Sequence, residues 1–190
     1  MTTKDKKQEI LTMARGMVQA RGYNALSFRD LAAAVGIKSA SVHYYFPTKG
    51  DLAATLAHEY TDEFLAYLNG LVEEGVPWDQ CIHAFAGVFR KTLLRENRMC
   101  LGGILAAERP DLDLAVQAEV ERFTELLVQW LSGILANGKP KMKPKELRRQ
   151  ALAIFAAIEG AQLMARGSGD VAVFDDAIEA YCDIGLLPPN

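Results

Sequence analysis

Cysteine and histidine are scarce in this chain, and their positions exclude several classes of site. The three cysteines, Cys81, Cys100 and Cys182, are far apart and odd in number, so the sequence predicts neither a disulfide framework nor a CxxC pair. The three histidines show no HExxH or other metal-ligand spacing, and no metal or other cofactor is expected. No GxSxG elbow occurs either. Nothing in these patterns favours an enzyme.

Two short motifs resemble catalytic elements only superficially. Gly167-Ser168-Gly169 follows no strand pattern and has no P-loop lysine, so it is predicted to be a loop. Asp175 and Asp176 are adjacent on a predicted helix and point in different directions. They are therefore interpreted as solvated charges near a helix end rather than as an acid/base pair.

Long apolar runs are also missing. The most apolar long stretch, residues 151–165, is too short to span a bilayer and contains Glu159. The N-terminal sequence MTTKDKKQEI is polar, with no apolar run behind it, so no secretory leader is expected. Together with the unpaired cysteines, these features predict a cytoplasmic protein with no membrane partner.

The small net charge of −3 conceals an uneven distribution. Residues 1–49 contain eight Lys/Arg and three Asp/Glu, whereas the remaining 141 residues contain 13 and 21. The first segment is therefore basic and the rest acidic. This distribution fits a head that meets phosphate and a body that does not, although a short segment can also be basic by chance.

Helical periodicity runs through the chain, and no segment shows the alternation of a strand. The sequence therefore predicts an all-α fold of about nine helices. The predicted helices cover residues 6–21, 28–35, 38–46, 49–74, 77–95, part of 97–108, 112–136, 144–166 and 173–184. In the fourth, the predicted buried stripe is Leu52, Leu56, Tyr60, Phe64, Tyr67 and Leu71.

The most informative stretch is Ser27–Lys49, with the sequence SFRDLAAAVGIKSASVHYYFPTK. Ser27 and Asp30 fit a capping box, and Gly36 suits a left-handed helix end. A second short helix is stopped by Pro47. Two short helices across a glycine-bearing turn are typical of a helix-turn-helix, whose second helix enters a major groove.

This stretch resembles the DNA-binding signature of TetR-family (TetR/AcrR-type) transcriptional regulators, over roughly residues 10–56. The resemblance includes the aromatic residues that close the recognition helix and the lysine that follows them, here Tyr44, Tyr45, Phe46 and Lys49. Two positions depart from the usual pattern. Lys38 stands where the family often has a capping Ser or Thr, so Ser39 is expected to cap instead, and His43 stands where a Tyr is common.

The resemblance implies a three-helix DNA-binding head, residues 1–48, and a helical effector-binding and dimerisation domain, residues 49–190. In the head, Lys38 and Lys49 are expected to neutralise phosphates, and Tyr44 and Ser27 to donate hydroxyl hydrogen bonds to phosphates. Ser39, Ser41 and His43 are the candidates for contacts with base edges, and Ala40 for a thymine methyl group. The alternative for each of these residues is a solvated helix face.

The resemblance also implies a small-molecule cavity in the second domain. The residues expected to line it are Trp78, Phe85, Phe89, Cys100, Phe123, Trp130 and Phe155, with Met164 as a further candidate. For each of these, plain core is the alternative. Few charged groups fall on apolar faces, which favours an apolar or small neutral effector.

A homodimer is expected through the last two long helices, residues 144–166 and 173–184, because two heads must read the two half-sites of a palindrome. The residues assigned to the interface are Ala151, Leu152, Phe155, Ile158, Gln162 and Ile178. The alternative is that this face packs inside its own chain.

The segment from Cys100 to Glu108 resembles the Cys-Leu-x-Gly-x-Leu-Ala-x-Glu segment of some TetR-type regulators that respond to electrophilic small molecules. Cys100 would lie near a helix N-terminus and beside Arg98, where positive potential favours a thiolate. Cys81 and Cys182 fall on apolar helix faces and are expected to be inert. Cys100 as a buried wall residue is the alternative.

The leading hypothesis is a homodimeric repressor that binds a palindromic DNA operator and is released by a small-molecule effector, for which an electrophile sensed at Cys100 is one candidate. The alternative is a helix-turn-helix nucleoid or division factor that has no effector.

Overall fold

The computed structural model describes residues 3–189, and within that range the regular secondary structure is all helical, with no strand. This confirms the all-α prediction of about nine helices. No helix in the described range is long and apolar enough to cross a membrane. The helices are α1 Thr3–Arg21, α2 Phe28–Val35, α3 Ser39–Tyr45, α4 Lys49–Glu73, α5 Trp78–Leu94, α6 Leu101–Ala107, α7 Leu114–Gly138, α8 Pro144–Ser168 and α9 Ala172–Asp183, with a 3₁₀ turn at Arg109–Asp111.

Local capping interactions set several helix ends, and those at Ser27 and Gly36 lie where the sequence predicts them. The Ser27 hydroxyl accepts the Asp30 N–H at 3.4 Å and starts α2. Thr48 and Asp51 form both halves of a capping box, each backbone N–H bonding the other side chain at 3.0 Å. Gly36 ends α2 at φ +73°, and Ile37 N–H reaches Ala32 O in the Schellman pattern.

Two expectations about helix ends are wrong. Gly167 and Ser168 are the last residues of α8 rather than a loop, because the left-handed residue that stops the helix is Gly169, at φ +70°. Ser39 is the first residue of α3 and does not occupy the cap. Lys38 lies at the N-cap in extended backbone, without a side-chain capping bond.

The helices divide into two compact units, whose boundaries fall within α4, between α5 and α6, and within α7. The first unit consists of the chain up to Thr61 and of Cys100–Phe123. One apolar core runs through it: Ile10, Leu11 and Val18 of α1 belong to the same buried cluster as Leu101 and Leu105 of α6. The helix-turn-helix therefore shares its core with α6 and the beginning of α7. The functional division at residue 48 remains a prediction.

The second unit contains Asp62–Met99 and the chain from Thr124 onward. Its core is aromatic, and α8 packs on both α5 and α9. The predicted stripe of α4 holds at Phe64, which is buried, but is wrong at Tyr67, which is 42% exposed while the neighbouring Leu68 is fully buried. The Tyr67 ring instead lies 5.9 Å from the Lys91 ammonium.

The residues that the sequence analysis assigned to a dimer interface mostly face inward. Ala151, Phe155, Ile158 and Gln162 are buried in the core of their own unit, so the alternative is correct for them. Gln162 donates to the Phe89 carbonyl at 3.0 Å. Only Leu152 is exposed, and Ile178 is half-buried. The error arises because α8 is apolar or small on two faces, and periodicity alone does not say which of them is inside.

Candidate nucleic-acid interface and effector site

The predicted recognition helix α3 presents its polar residues outward. Val42 on the opposite face is fully buried, and Phe46, which follows the helix, is 2% exposed. These two apolar residues hold the helix against the core of the head. The residues on the opposite face of this seven-residue helix therefore lie at the surface. The exposed predicted contacts are Lys38, Ser39, Ala40, His43 and Tyr44, with Ser41 half-buried.

The side chains of Tyr44 and His43 differ in the contacts they make within the head. The Tyr44 side chain is the more available, being 77% exposed, with its ring edge-on to Tyr45 at 5.2 Å. The His43 ring lies edge-on to Phe28 at 4.8 Å, and its Nδ1 is 3.3 Å from the Pro47 carbonyl. One ring nitrogen of His43 is thus used locally, and the other is left for an outside partner.

Ser27 and Lys49 flank this helix and are only half-buried. The Ser27 hydroxyl accepts a backbone N–H as a cap, which leaves its own proton free to be donated to a phosphate. The Lys49 ammonium lies 4.1 Å from the centre of the Tyr23 ring in a cation–π contact. Burial lowers the pKa of Lys49, although the carboxylates of Glu108, Asp111 and Asp113 oppose that shift.

Four of the predicted effector residues come together in the second unit. Phe85 is central: its ring lies 5.3 Å from Phe89, 5.9 Å from Phe155 and 6.1 Å from Trp130. The three phenylalanines are buried, whereas Trp130 is half-buried. The Trp130 indole nitrogen is nevertheless shielded from solvent, and no residue in the described range accepts its hydrogen. A buried donor without an acceptor is uncommon in a folded protein.

Cys100 and Phe123 lie in the first unit, where Tyr60 brings them together. The Cys100 thiol is 1% exposed and accepts the Tyr60 hydroxyl at 3.7 Å. The Tyr60 and Phe123 rings are 5.8 Å apart. These two rings line a crevice, between α4, α6 and α7, that is too narrow to admit a water molecule. Gly102 also lines it, and any side chain there would overlap the Phe123 ring.

The remaining two candidates lie elsewhere. The Trp78 ring packs against Gly138, where a methyl group would overlap the indole. Met164 is 67% exposed on α8 and lines no part of the aromatic cluster, so its assignment to a cavity is wrong. A groove of about 410 Å³ opens between α5 and α9, lined in part by His83, Arg90 and Asp175. None of the predicted effector residues lines this groove.

Asp175 is not simply a solvated charge. Arg90 donates two hydrogen bonds of 2.7 Å to its carboxylate, one from Nε and one from a terminal nitrogen. This pairing holds the pKa of Asp175 below its ordinary value. The neighbouring Asp176 is exposed. The two carboxylates therefore differ in environment and do not form a paired acid/base site.

The other two thiols are in unreactive settings. Burial raises the pKa of both Cys81 and Cys182, and nearby carboxylates raise it further. Since the thiolate is the nucleophile, neither residue is an activated thiol. Arg98, which the sequence analysis placed beside Cys100, pairs with the Glu96 carboxylate.

Two contributors to these sites were not predicted from the sequence. Tyr60 was interpreted only as part of a buried stripe, yet it is the residue that bonds the Cys100 sulfur. The carboxylates around Lys49 come from the turn between α6 and α7, some 60 residues further along the chain. No local pattern pointed to either contact, because both depend on packing between helices distant in sequence.

Comparison with known proteins gives a consistent identification. The sequence profile of bacterial regulatory proteins of the tetR family matches residues 10–56, the stretch that contains α2 and α3. No curated protein matches the chain as a whole or in part.

Solved structures match over nearly the full length. A TetR transcriptional regulator from Legionella pneumophila is 32% identical, with 97% of each chain covered and a TM-score of 0.87. A TetR-family transcriptional regulator from Agrobacterium tumefaciens is 29% identical, covering 96% of this chain and 98% of its own, with a TM-score of 0.89. The reduced form of E. coli NemR shares the fold at 19% identity and a TM-score of 0.82, over 94% of this chain and 96% of its own.

The exposed recognition helix, the family profile over it and the full-length similarity to the Legionella regulator agree with one another. The chain belongs to the TetR family of bacterial transcriptional regulators.

Proposed function

We propose that this regulator is a homodimeric repressor that binds a palindromic operator through α3 and leaves it when a small electrophile reacts with Cys100. The observation that supports the switch is the absence of space around the thiol. Cys100 is 1% exposed, and the adjoining crevice does not admit even a water molecule. An adduct of any size must therefore displace the helices around it.

The DNA contacts divide by chemistry. Lys38 at the N-cap of α3 and Tyr44 within the helix are both exposed, and their ammonium and hydroxyl groups suit phosphates and supply affinity for any sequence. Ser39, Ser41 and the second nitrogen of His43 suit base edges, and Ala40 suits a thymine methyl group. Lys49 suits a phosphate only when its ammonium leaves the Tyr23 ring.

The dimer face proposed for α8 differs from the one expected from sequence. Its exposed residues repeat at intervals of three and four and are apolar or small, which suits close packing against a second copy of the same helix. Leu152 is 52% exposed and Leu163 is 60% exposed. The stripe consists of Leu152, Ala156, Gly160, Leu163 and Gly167.

Cys100 has a chemically suitable partner in Tyr60. The Tyr60 hydroxyl donates toward the sulfur, and the same bond would stabilise the thiolate that attacks an electrophile. The thiolate forms a bond to the electrophilic carbon of, for example, a maleimide, and the resulting enolate takes up a proton from solvent. The crevice then loses the packing of Tyr60 and Phe123 against α6.

A gel-shift on the DNA upstream of the chain's own coding region tests both parts. Wild type is expected to bind, and N-ethylmaleimide is expected to release it. Cys100→Ser should bind and resist release, whereas Cys81→Ser and Cys182→Ser, the matched controls, should be released like wild type. Release of Cys100→Ser, or no adduct on Cys100 by mass spectrometry, would refute the sensing role. Binding that no thiol reagent changes would favour the factor without such an effector.

Light scattering tests the dimer. Wild type is expected to be a dimer at micromolar concentration, and Leu163→Lys to be a monomer because two charges would meet at a two-fold contact. Leu94→Lys is the control, since Leu94 is 58% exposed on α5, close to the 60% of Leu163. A dimeric Leu163→Lys would show that the interface lies elsewhere.

The Trp130 N–H supports a second, non-covalent mode. Its hydrogen has no acceptor in the described range, and it lies beside the Phe85 ring. An aryl ketone could stack on the aromatic cluster and accept this hydrogen bond. Acetophenone should bind wild type at least tenfold more tightly than Trp130→Phe. Binding to wild type is followed by intrinsic fluorescence, and binding to the variant by calorimetry. Equal affinities would eliminate this mode.

A further inference from the structure

The turn between α6 and α7 holds three carboxylates against the DNA-binding head. Glu108 accepts the backbone N–H of Tyr23. Asp111 accepts the Asn24 side-chain amide at 2.7 Å. Burial raises the pKa of Tyr23, and the Asp113 carboxylate raises it further through its charge and a hydrogen bond with the Tyr23 hydroxyl. We refer to Glu108, Asp111 and Asp113 as the acidic turn.

Two glycines of the head allow this close approach. At Gly50, the second residue of α4, a methyl group would overlap the Asp113 carboxylate. At Gly22 a methyl group would overlap the Glu108 carboxylate, and the backbone there is also left-handed, at φ +88°. The acidic turn thus occupies the space that side chains would fill at these positions, which makes it a packed contact rather than a loose surface cluster.

Lys49 is the cation that faces this contact. Its ammonium lies over the Tyr23 ring at 4.1 Å, and all three carboxylates of the acidic turn act on it electrostatically. Lys49 directly precedes Gly50, the residue against which the Asp113 carboxylate packs. The same lysine begins α4 just after the recognition helix, the place where the family resemblance predicts a phosphate contact.

A phosphate and the acidic turn both attract the Lys49 ammonium, which lies over the Tyr23 ring and cannot be nearest to both at once. Each provides anionic oxygens, and a lysine is a compact point charge on a flexible stem that can turn to either. We propose that Glu108, Asp111 and Asp113 compete with DNA phosphates for Lys49, so that the acidic turn sets the affinity of this regulator for DNA below that of the basic head alone. The proposal rests on the proposed DNA-binding role of the α3 face.

The competing explanation is that the turn only supports the head. In that case its loss would loosen Tyr23 and weaken DNA binding. Asp113→Asn separates the two ideas, because the asparagine carbonyl still accepts the Tyr23 hydroxyl while the negative charge is gone. Gly50→Ala separates them by another route: it pushes the Asp113 carboxylate aside without altering any charge, at a helical position where alanine is favourable.

The probe is a duplex of arbitrary sequence about 30 base pairs long, followed by fluorescence anisotropy over a range of salt concentrations, so that no operator need be known. Asp113→Asn and Gly50→Ala are each expected to bind roughly two- to fivefold more tightly than wild type, the scale of one exposed charge interaction. The slope of log K against log salt should steepen by about 0.9 as Lys49 gains a phosphate. Glu59→Gln, which removes a carboxylate ten residues further along α4, is the control and should change affinity less.

Lys49→Met supplies the decisive comparison. In that background Asp113→Asn should no longer strengthen DNA binding, since there is no Lys49 ammonium for the carboxylate to attract. An equal gain with and without Lys49 would indicate a general charge effect and overturn the proposal. Weaker binding by both Asp113→Asn and Gly50→Ala, with helical circular dichroism unchanged, would overturn it in favour of a supporting role. If wild type binds no DNA at any salt concentration, it is the proposed DNA-binding function that fails.

Discussion

Replacing Gly102 with alanine would introduce a single methyl group at the tightest point beside Cys100. Gly102 lies in α6, and a Cβ built there overlaps the Phe123 ring of α7. The overlap involves the ring itself, which cannot move aside as the end of a flexible side chain can. Either the ring must rotate into the crevice near Tyr60, or α6 must shift away from α7.

Two opposing effects determine the change in stability. Alanine favours a helix interior over glycine by about 0.8–1 kcal/mol. Overpacking of a well-packed core costs about 1–3 kcal/mol. The second effect is the larger over most of its range, so Gly102→Ala is expected to be destabilised by up to about 2 kcal/mol. Gly133→Ala is the control, because nothing lies within 4 Å of a Cβ there, and it should be stabilised by about 0.5–1 kcal/mol.

Urea unfolding followed by circular dichroism measures both variants. The protomer concentration must be the same throughout, because dimerisation contributes to the apparent stability. The difference between the two variants then isolates the cost of the overlap with Phe123. A Gly102→Ala protein as stable as Gly133→Ala would show that α6 and α7 can separate freely. It would also remove the structural argument that an adduct at Cys100 must displace its surroundings.

Three further predictions concern individual contacts. Asp175→Asn should destabilise the fold by less than about 1 kcal/mol at neutral pH, because the Arg90–Asp175 pair is about 42% exposed. Arg90 lowers the pKa of Asp175 in the folded protein, so this stabilisation is complete above the ordinary pKa of 3.8 and is lost as the pH falls through the lower folded pKa. Urea unfolding at neutral pH and below pH 3.8 measures the difference. Gln162→Met should cost about 1 kcal/mol in urea unfolding by removing the buried bond to the Phe89 carbonyl, and an unchanged midpoint would contradict this. Gly36→Ala should lower the free energy of unfolding by about 1 kcal/mol because its backbone is left-handed, since no atom lies within 4 Å of the added carbon. Gly70→Ala is the control: its added carbon is equally open, and it should not lower the free energy of unfolding.

The local chemistry of the chain decided where its helices begin and end. Ser27, the Thr48–Asp51 pair and Gly36 act on backbone groups no more than five residues away, so their patterns were sufficient to locate α2, α3 and the start of α4. The order of these signals was also specific enough to indicate the family. Where two terminators were close together, as at Gly167 and Gly169, the pattern did not show which would adopt the left-handed backbone.

Tertiary structure decided which of several suitable faces is buried and which distant charges meet. Phe155 and Leu163 are both apolar residues of α8, yet packing against α5 and α9 buries the first and leaves the second exposed. Lys49 was predicted from sequence to contact phosphate, and the fold also brings three carboxylates of a turn about 60 residues away near enough to act on its charge. Helix periodicity reports that a side chain is apolar or charged, and capping reports on its near neighbours. The partners that meet across helices depend on how the helices pack, and that information is carried by no single stretch of the sequence.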